Sequence, residues 1–297
     1  MYDGADLITV HSPGNKNHVV MKGASPEKVE VMPNWVDTDF IAPGERMNGF
    51  REEFGLGDKF VVSFAGVLGY SQDIDVILGA ADLLRDKKDI LFLIVGDGVE
   101  KERLMKKACS MGLSTMPESV PLRRWNKPHQ TNQTNQINET NQTNQMNQTN
   151  QTNQTNQINQ TNQTNVMFLP MQPRDKYPSI LHASDVCLAT LHEEVKTPVV
   201  PSKILSIMAA GRPVVACMNL DGDAPRLVEE AGCGYVLPPE DPQILADHIL
   251  KLYEDEGMRE EMGRKGREYA ERELALTVVA KRYVKLIQRI KGLRGKD

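Results

Sequence analysis

Ser202 and Lys203 stand side by side after Pro201 and directly before residues 204–210, an apolar stretch with helical spacing. A hydroxyl and an amine on the first turn of a helix, beside backbone amides that have no partner within it, suit an anion such as a diphosphate. An ordinary helix capped by Ser202, with Lys203 in solvent, accounts for the same residues. Two other stretches offer compatible chemistry. Gly66-Val67-Leu68-Gly69-Tyr70-Ser71-Gln72 follows an apolar run, and its glycines let main-chain amides approach phosphate oxygens. Gly96-Asp97-Gly98 follows a second apolar run and reads equally well as a ligand-facing turn or as a helix entry with Asp97 as cap.

These stretches act together only if the fold brings them to one edge of a sheet. Residues 60–65, 90–95, 166–169, 185–189, 213–216 and 234–237 read as short, continuously apolar strands. Helical patterns over 74–84, 100–111, 176–183, 203–210 and 224–231 alternate with them, and further helices run from Pro242 onward. Apolar strands separated by helices predict an α/β fold, a Rossmann-like doubly wound parallel sheet covered on both faces. In such sheets ligands bind beyond the carboxyl ends of the strands, where all three stretches fall.

Residues 126–165 are foreign to this pattern, being almost pure Thr-Asn-Gln triplets. They bury too little apolar surface to offset an ordering cost of about 1–2 kcal/mol per residue, so the tract is expected to be disordered. It falls in an αβ loop, at the sheet edge opposite any ligand. The rest of the 297-residue chain is of ordinary globular composition, 40% hydrophobic and 25% charged. A net charge of −5 argues against a general nucleic-acid binder. Cys109, Cys187, Cys217 and Cys233 form no C-x-x-C pair and read as buried free thiols. An acidic N-terminus and the lack of any apolar run near the ~20 residues of a membrane span point to a cytoplasmic protein.

The string Pro201-Ser202-Lys203, a helix, then Ala209-Ala210-Gly211-Arg212-Pro213-Val214-Val215-Ala216 resembles the donor-site helix of the family 4 retaining glycosyltransferases of GT-B architecture. Residues 5–12, Pro33-Asn34-Trp35-Val36-Asp37, Val95-Gly96-Asp97-Gly98 and Ala183-Ser184-Asp185-Val186 follow in the family's order. The combination is most similar to the colanic-acid and N-acetylfucosamine transferase branch.

The resemblance implies a donor-binding domain over 42–125 and 166–297, interrupted by the 126–165 insertion. It also implies that residues 1–41 are a remnant of an N-terminal acceptor domain, most of which is missing. A nucleotide-diphosphate sugar, UDP- or GDP-linked, is then the partner, and the sugar passes with retention to a glycan or lipid-linked acceptor. Gly66 and Gly69 would lie against the pyrophosphate with Gln72 close by, and Ser202 with Lys203 would neutralise the leaving diphosphate. Asp97, Gly98, Met171 and Gln172 would border the nucleobase. No cofactor or tightly held metal is implied, and no catalytic residue is assigned; His11 and His18 read as surface or capping histidines.

Two departures accompany the resemblance. The family's Glu-x7-Glu pair is replaced by Pro198 and Ser206, so the ribose-gripping carboxylate is a hydroxyl here. The missing acceptor half would require an N-terminal-half partner polypeptide or self-association. A non-catalytic nucleotide-sugar-binding module, a gene remnant and a sugar-nucleotide epimerase are the rival readings. The basic C-terminal helix, with Lys281, Arg282, Lys285, Arg289, Lys291 and Arg294, either leans on anionic lipid as a peripheral contact or packs across the domain junction.

Overall fold

The computed structural model describes residues 2, 4–114, 164–196, 198 and 200–294. The expected disorder of the tract therefore falls outside the described residues, apart from its last two positions, and so do the side chains of Lys291 and Arg294.

Six parallel strands form the main sheet in the order β5-β4-β3-β6-β7-β8. They are β3 (Phe60–Ala65), β4 (Ile90–Val95), β5 (Val166–Leu169), β6 (Val186–Thr190), β7 (Val214–Cys217) and β8 (Gly234–Leu237). All six residues of β4 are buried, as are all of β6 and β7, because helices cover both faces. The chain winds outward from β3 through β4 to β5, then returns to start β6 on the other side of β3. The order reverses between β3 and β6, and ligands of doubly wound sheets bind at such a point. The expected strands and helices are present with ends shifted by at most two residues. A short helix, Gly49–Phe54, was not anticipated; its cap Asn48 accepts from the amides of Phe50 and Arg51.

A buried carboxylate sets the register at the start of β3 and β6. Asp185 Oδ2 accepts from the Val61 amide at 2.7 Å and from Arg51 Nη2 at 2.9 Å, while Oδ1 accepts from Arg46 Nε at 2.6 Å. Arg51, 1% exposed, also donates to the carbonyls of Ala183, Gly57 and Lys59. Every charge in the knot is thus paired or hydrogen-bonded, the condition under which a buried ion pair is tolerated.

The insertion leaves and re-enters at one spot. The Val166 amide donates to the Leu113 carbonyl at 3.0 Å, so its flanks are tied together at the amino end of β5. Asn165, the last residue of the tract, belongs to the fold: it is 4% exposed and its amide group donates to the Ala81 carbonyl at 2.7 Å.

Near the N-terminus, β1 (Ile8–Val10) and β2 (Val29–Val31) pair in parallel around the helix Pro13–Met21. This unit docks through Gly14, whose amide donates to both oxygens of Asp223, and through Asn15, whose side chain donates to the Pro198 carbonyl. The last helix, Leu276–Arg294, follows a π-turn at Ala270–Leu274 and returns toward the same unit, where Arg289 pairs with Glu30. Val36 forms a parallel bridge with Ala275. Among the described residues no helix is long and apolar enough to cross a membrane.

Two outcomes follow. Replacing residues 131–163 with a short Gly/Ser linker leaves cooperative thermal unfolding unchanged, because the flanks already meet; a broadened transition by calorimetry would contradict this. Asp185→Ala strands two arginines and costs about 3–5 kcal/mol in a urea titration.

Candidate functional site

A cleft of about 420 Å³ opens at the carboxyl ends of β3, β4 and β5, roofed by the helices Tyr177–His182 and Ser202–Ala209. Gly66, Gln72, Val95, Met171, Gln172, Tyr177, Ser202, Lys203 and Ser206 line it. Its size is in the range of small-ligand sites.

Lys203 dominates its electrostatics. The Lys203 Nζ donates to Gln72 Oε1 at 2.8 Å and lies 3.6 Å from the centroid of the Phe64 ring, itself buried beneath the cleft. No carboxylate pairs with this amine among the described residues. Burial lowers its pKa from the usual lysine value to about 7. A methyl group at Gly66 would stand 3.2 Å from Nζ, so the glycine keeps the space in front of the amine open. Such an amine, held by a neutral amide and a ring face, lacks only an anion to complete its charge balance. A larger cleft of about 680 Å³ lies at the opposite sheet edge, but its Arg46 and Arg259 are already paired with Asp185 and Glu256.

The loops after β3 and β4 are laced together by main chain. The Leu68 amide donates to the Asp97 carbonyl at 2.9 Å and the Glu100 amide to the Leu68 carbonyl at 3.0 Å. A side chain at Gly96 would overlap the Gly66 carbonyl, and one at Gly98 would overlap the Leu68 backbone. These glycines allow the two turns to stack, which presents Gly66 to the cleft.

Glycosyltransferases are what the chain resembles among known proteins. The family model described as Glycosyl transferases group 1 matches residues 145–255. The colanic acid biosynthesis glycosyl transferase WcaI of Escherichia coli (strain K12) is 24% identical over 284 residues, 94% of this chain and 56% of that protein. Anabaena HepE in complex with UDP-glucose superposes with a TM-score of 0.70 at 17% identity, covering 97% of this chain and 65% of that one. The C-terminal domain of the group 1 glycosyl transferase LpcC from Francisella tularensis superposes with a TM-score of 0.56 at 16% identity, covering 81% of this chain and 99% of that domain. The chain is thus similar in sequence to group 1 glycosyl transferases and shares the fold of these GT-B structures. It spans about half the length of the curated relatives it matches.

Within the chain the expected site residues divide into two groups. Gly66, Gln72, Met171, Gln172, Ser202, Lys203 and Ser206 meet in the cleft, whereas Gly69, Asp97 and Gly98 do not line it. Gly69 turns the loop through its carbonyl, which accepts from the Gln72 amide at 3.0 Å. Asp97 does not cap the helix Lys101–Ser110, whose N-cap position is Glu100. Its Oδ2 accepts from the Met171 amide at 3.0 Å and its Oδ1 pairs with Lys101, so it holds the Met171-Gln172 loop from behind. Ser202 is not the cap expected from the sequence either: Pro201 occupies that position, and Ser202 is the first helical residue with its side chain exposed. The hydroxyl is therefore available to a ligand instead of being spent on the helix.

Tyr177 and Phe64 escaped the sequence reading. Phe64 is one apolar residue within a strand, and Tyr177 follows a loop separated from Lys203 by a whole strand and helix. The cleft predicts a pH dependence. A diphosphate bound beside Nζ would raise the Lys203 pKa above 7, so its contribution would be complete below about pH 7 and decline as pH rises toward the bound-state pKa. Calorimetry at about pH 8 in buffers of different ionisation enthalpy should register proton uptake approaching one per nucleotide, absent in Lys203→Met.

Proposed function

We propose that this chain binds a nucleotide-diphosphate sugar, UDP- or GDP-linked, in the cleft and serves its transfer, with retention, to a glycan or lipid-linked acceptor. The observation that carries this reading is the Lys203 amine, unpaired with any described carboxylate and facing Gly66 across the start of a helix. The pyrophosphate lies between Lys203, the Gly66 backbone and the first-turn amides of Ser202–Ala209, and the nucleoside extends toward Met171 and Gln172. As the bond from the sugar's anomeric carbon to the diphosphate oxygen breaks, its electron pair stays on that oxygen. The protonated Lys203 and the helix amides stabilise the growing charge. The acceptor hydroxyl forms the new bond on the same face, and its proton passes to the departing diphosphate oxygen.

This reading gives residues 42–125 and 166–297 to the donor-binding domain and residues 1–41 to the margin of an acceptor-binding domain. The helix Leu276–Arg294 joins the two. Its Arg282 and Arg289 are paired with Glu273 and Glu30, which favours packing across the junction over contact with lipid.

Titration of the chain with UDP, GDP and their sugar conjugates tests the reading. One nucleotide series should bind, and Lys203→Ala should weaken it by about 1.5–3 kcal/mol, the range for a hydrogen bond to a charged group. Unchanged affinity in Lys203→Ala would remove the donor site from this cleft.

A further inference from the structure

Glu240 lies in the turn between β8 and the helix Pro242–Glu254, and among the described residues it is the one non-glycine in the left-handed region, with φ of +61°. Glycine adopts that conformation without steric cost, whereas a glutamate there is uncommon and persists only where its surroundings hold it. Both polar ends of Glu240 are in use. Its amide donates to Asp73 Oδ2 at 3.1 Å, and its Oε1 accepts from His192 Nδ1 at 3.3 Å. A carboxylate only accepts, so Nδ1 carries the proton.

These two contacts reach the main chain on either side of Gln72. Asp73, 1% exposed, is the residue after it, and its Oδ1 also accepts from the Val76 amide at 3.0 Å. Ser71 is the residue before it, and its carbonyl accepts from the His192 amide at 3.1 Å. The turn after β8 is thus joined to both neighbours of the residue whose Oε1 meets Lys203 Nζ at 2.8 Å. The hold on Asp73 uses only the main-chain amide of position 240 and survives with any side chain there. The hold on His192 needs the carboxylate, and a glycine would lose it.

Resting on the donor-site reading above for the ligand alone, we infer that Glu240 is a positioning residue of the cleft: its strained turn is kept because the carboxylate holds His192, which holds Ser71 and with it the Gln72 amide against the Lys203 amine. Glu240 does not line the cleft and acts on it through two intermediate residues. Ease in the turn and order in the cleft are therefore opposed.

The test is Glu240→Gly, which relieves the turn, keeps the amide that Asp73 uses and removes the carboxylate. The thermal midpoint of the full chain should stay level or rise. The dissociation constant for UDP or GDP, whichever binds, should increase about two- to fivefold, the span of one half-exposed ion pair. Competitive acylation of the ligand-free chain with acetic anhydride, read by mass spectrometry across pH, follows Lys203 directly. Loosening the Gln72 oxygen disfavours the charged amine, so the Lys203 midpoint should fall from about 7 by roughly 0.3–0.7, the same two- to fivefold on a proton equilibrium. His192→Ala should reproduce the loss of affinity and the lower Lys203 midpoint, with no further change in the double variant. A lower thermal midpoint together with weaker binding in Glu240→Gly marks the residue as merely structural and overturns the inference. So does an unchanged Lys203 midpoint. If neither nucleotide binds the parent chain, the donor-site reading fails, and the Lys203 midpoint alone decides whether Glu240 positions the amine.

Discussion

The Asp185 carboxylate, held by Arg46, Arg51 and the Val61 amide, fixes where β3 and β6 begin relative to each other. The rest of the site inherits that alignment. β3 ends at Ala65 and delivers Gly66; β6 ends at Thr190 and leads to the segment that starts the Ser202–Ala209 helix. A slip at the buried end would be carried the length of two strands and would separate Gly66 from Lys203. The knot lies at the amino edge and the cleft at the carboxyl edge, so the residues that fix the geometry stand apart from the cleft itself.

At the carboxyl edge the governing constraint is the half-buried Lys203 amine, which meets no carboxylate among the described residues. Its desolvation is offset in part by the Phe64 ring face and the Gln72 oxygen. Neither supplies a full negative charge. An ion-paired lysine would have to exchange one carboxylate for another anion, with little net gain. Among the described residues Lys203 has no such partner to give up, so an incoming anion would offset its desolvation without displacing one.

Much of the architecture was legible because it is recorded in local pattern. Continuous apolar runs such as Ile90–Val95 can only be strands buried on both faces, and their alternation with helices leaves a parallel sheet as the solution. Gly66, Gln72, Met171 and Gln172, which converge on the cleft, were legible as parts of loops following those strands. What stayed hidden depends on partners far along the chain. Asp97 is spent on Met171, 74 residues away, and Asn165 is disguised by the tract although it is anchored to Ala81, 84 residues earlier. Ser202 looked like a helix cap because a hydroxyl before an apolar run usually is one. The helix begins one residue sooner, and that displacement turns a capping group into an exposed one.

The meeting of Val36 with Ala275 brings the segment after β2 against the approach to the last helix. The Val36 amide donates to the Leu274 carbonyl and the Leu276 amide to the Val36 carbonyl, each at 2.9 Å. Beside this crossing, Arg267 gathers the carbonyls of Thr38, Ile41 and Ala209. Ala209 closes the helix that carries Lys203. Displacing the segment after β2 would therefore break bonds that also hold the far end of the Ser202–Ala209 helix. The crossing is in mechanical terms a brace: Arg267 clamps the segment after β2 to the far end of the helix that bears Lys203.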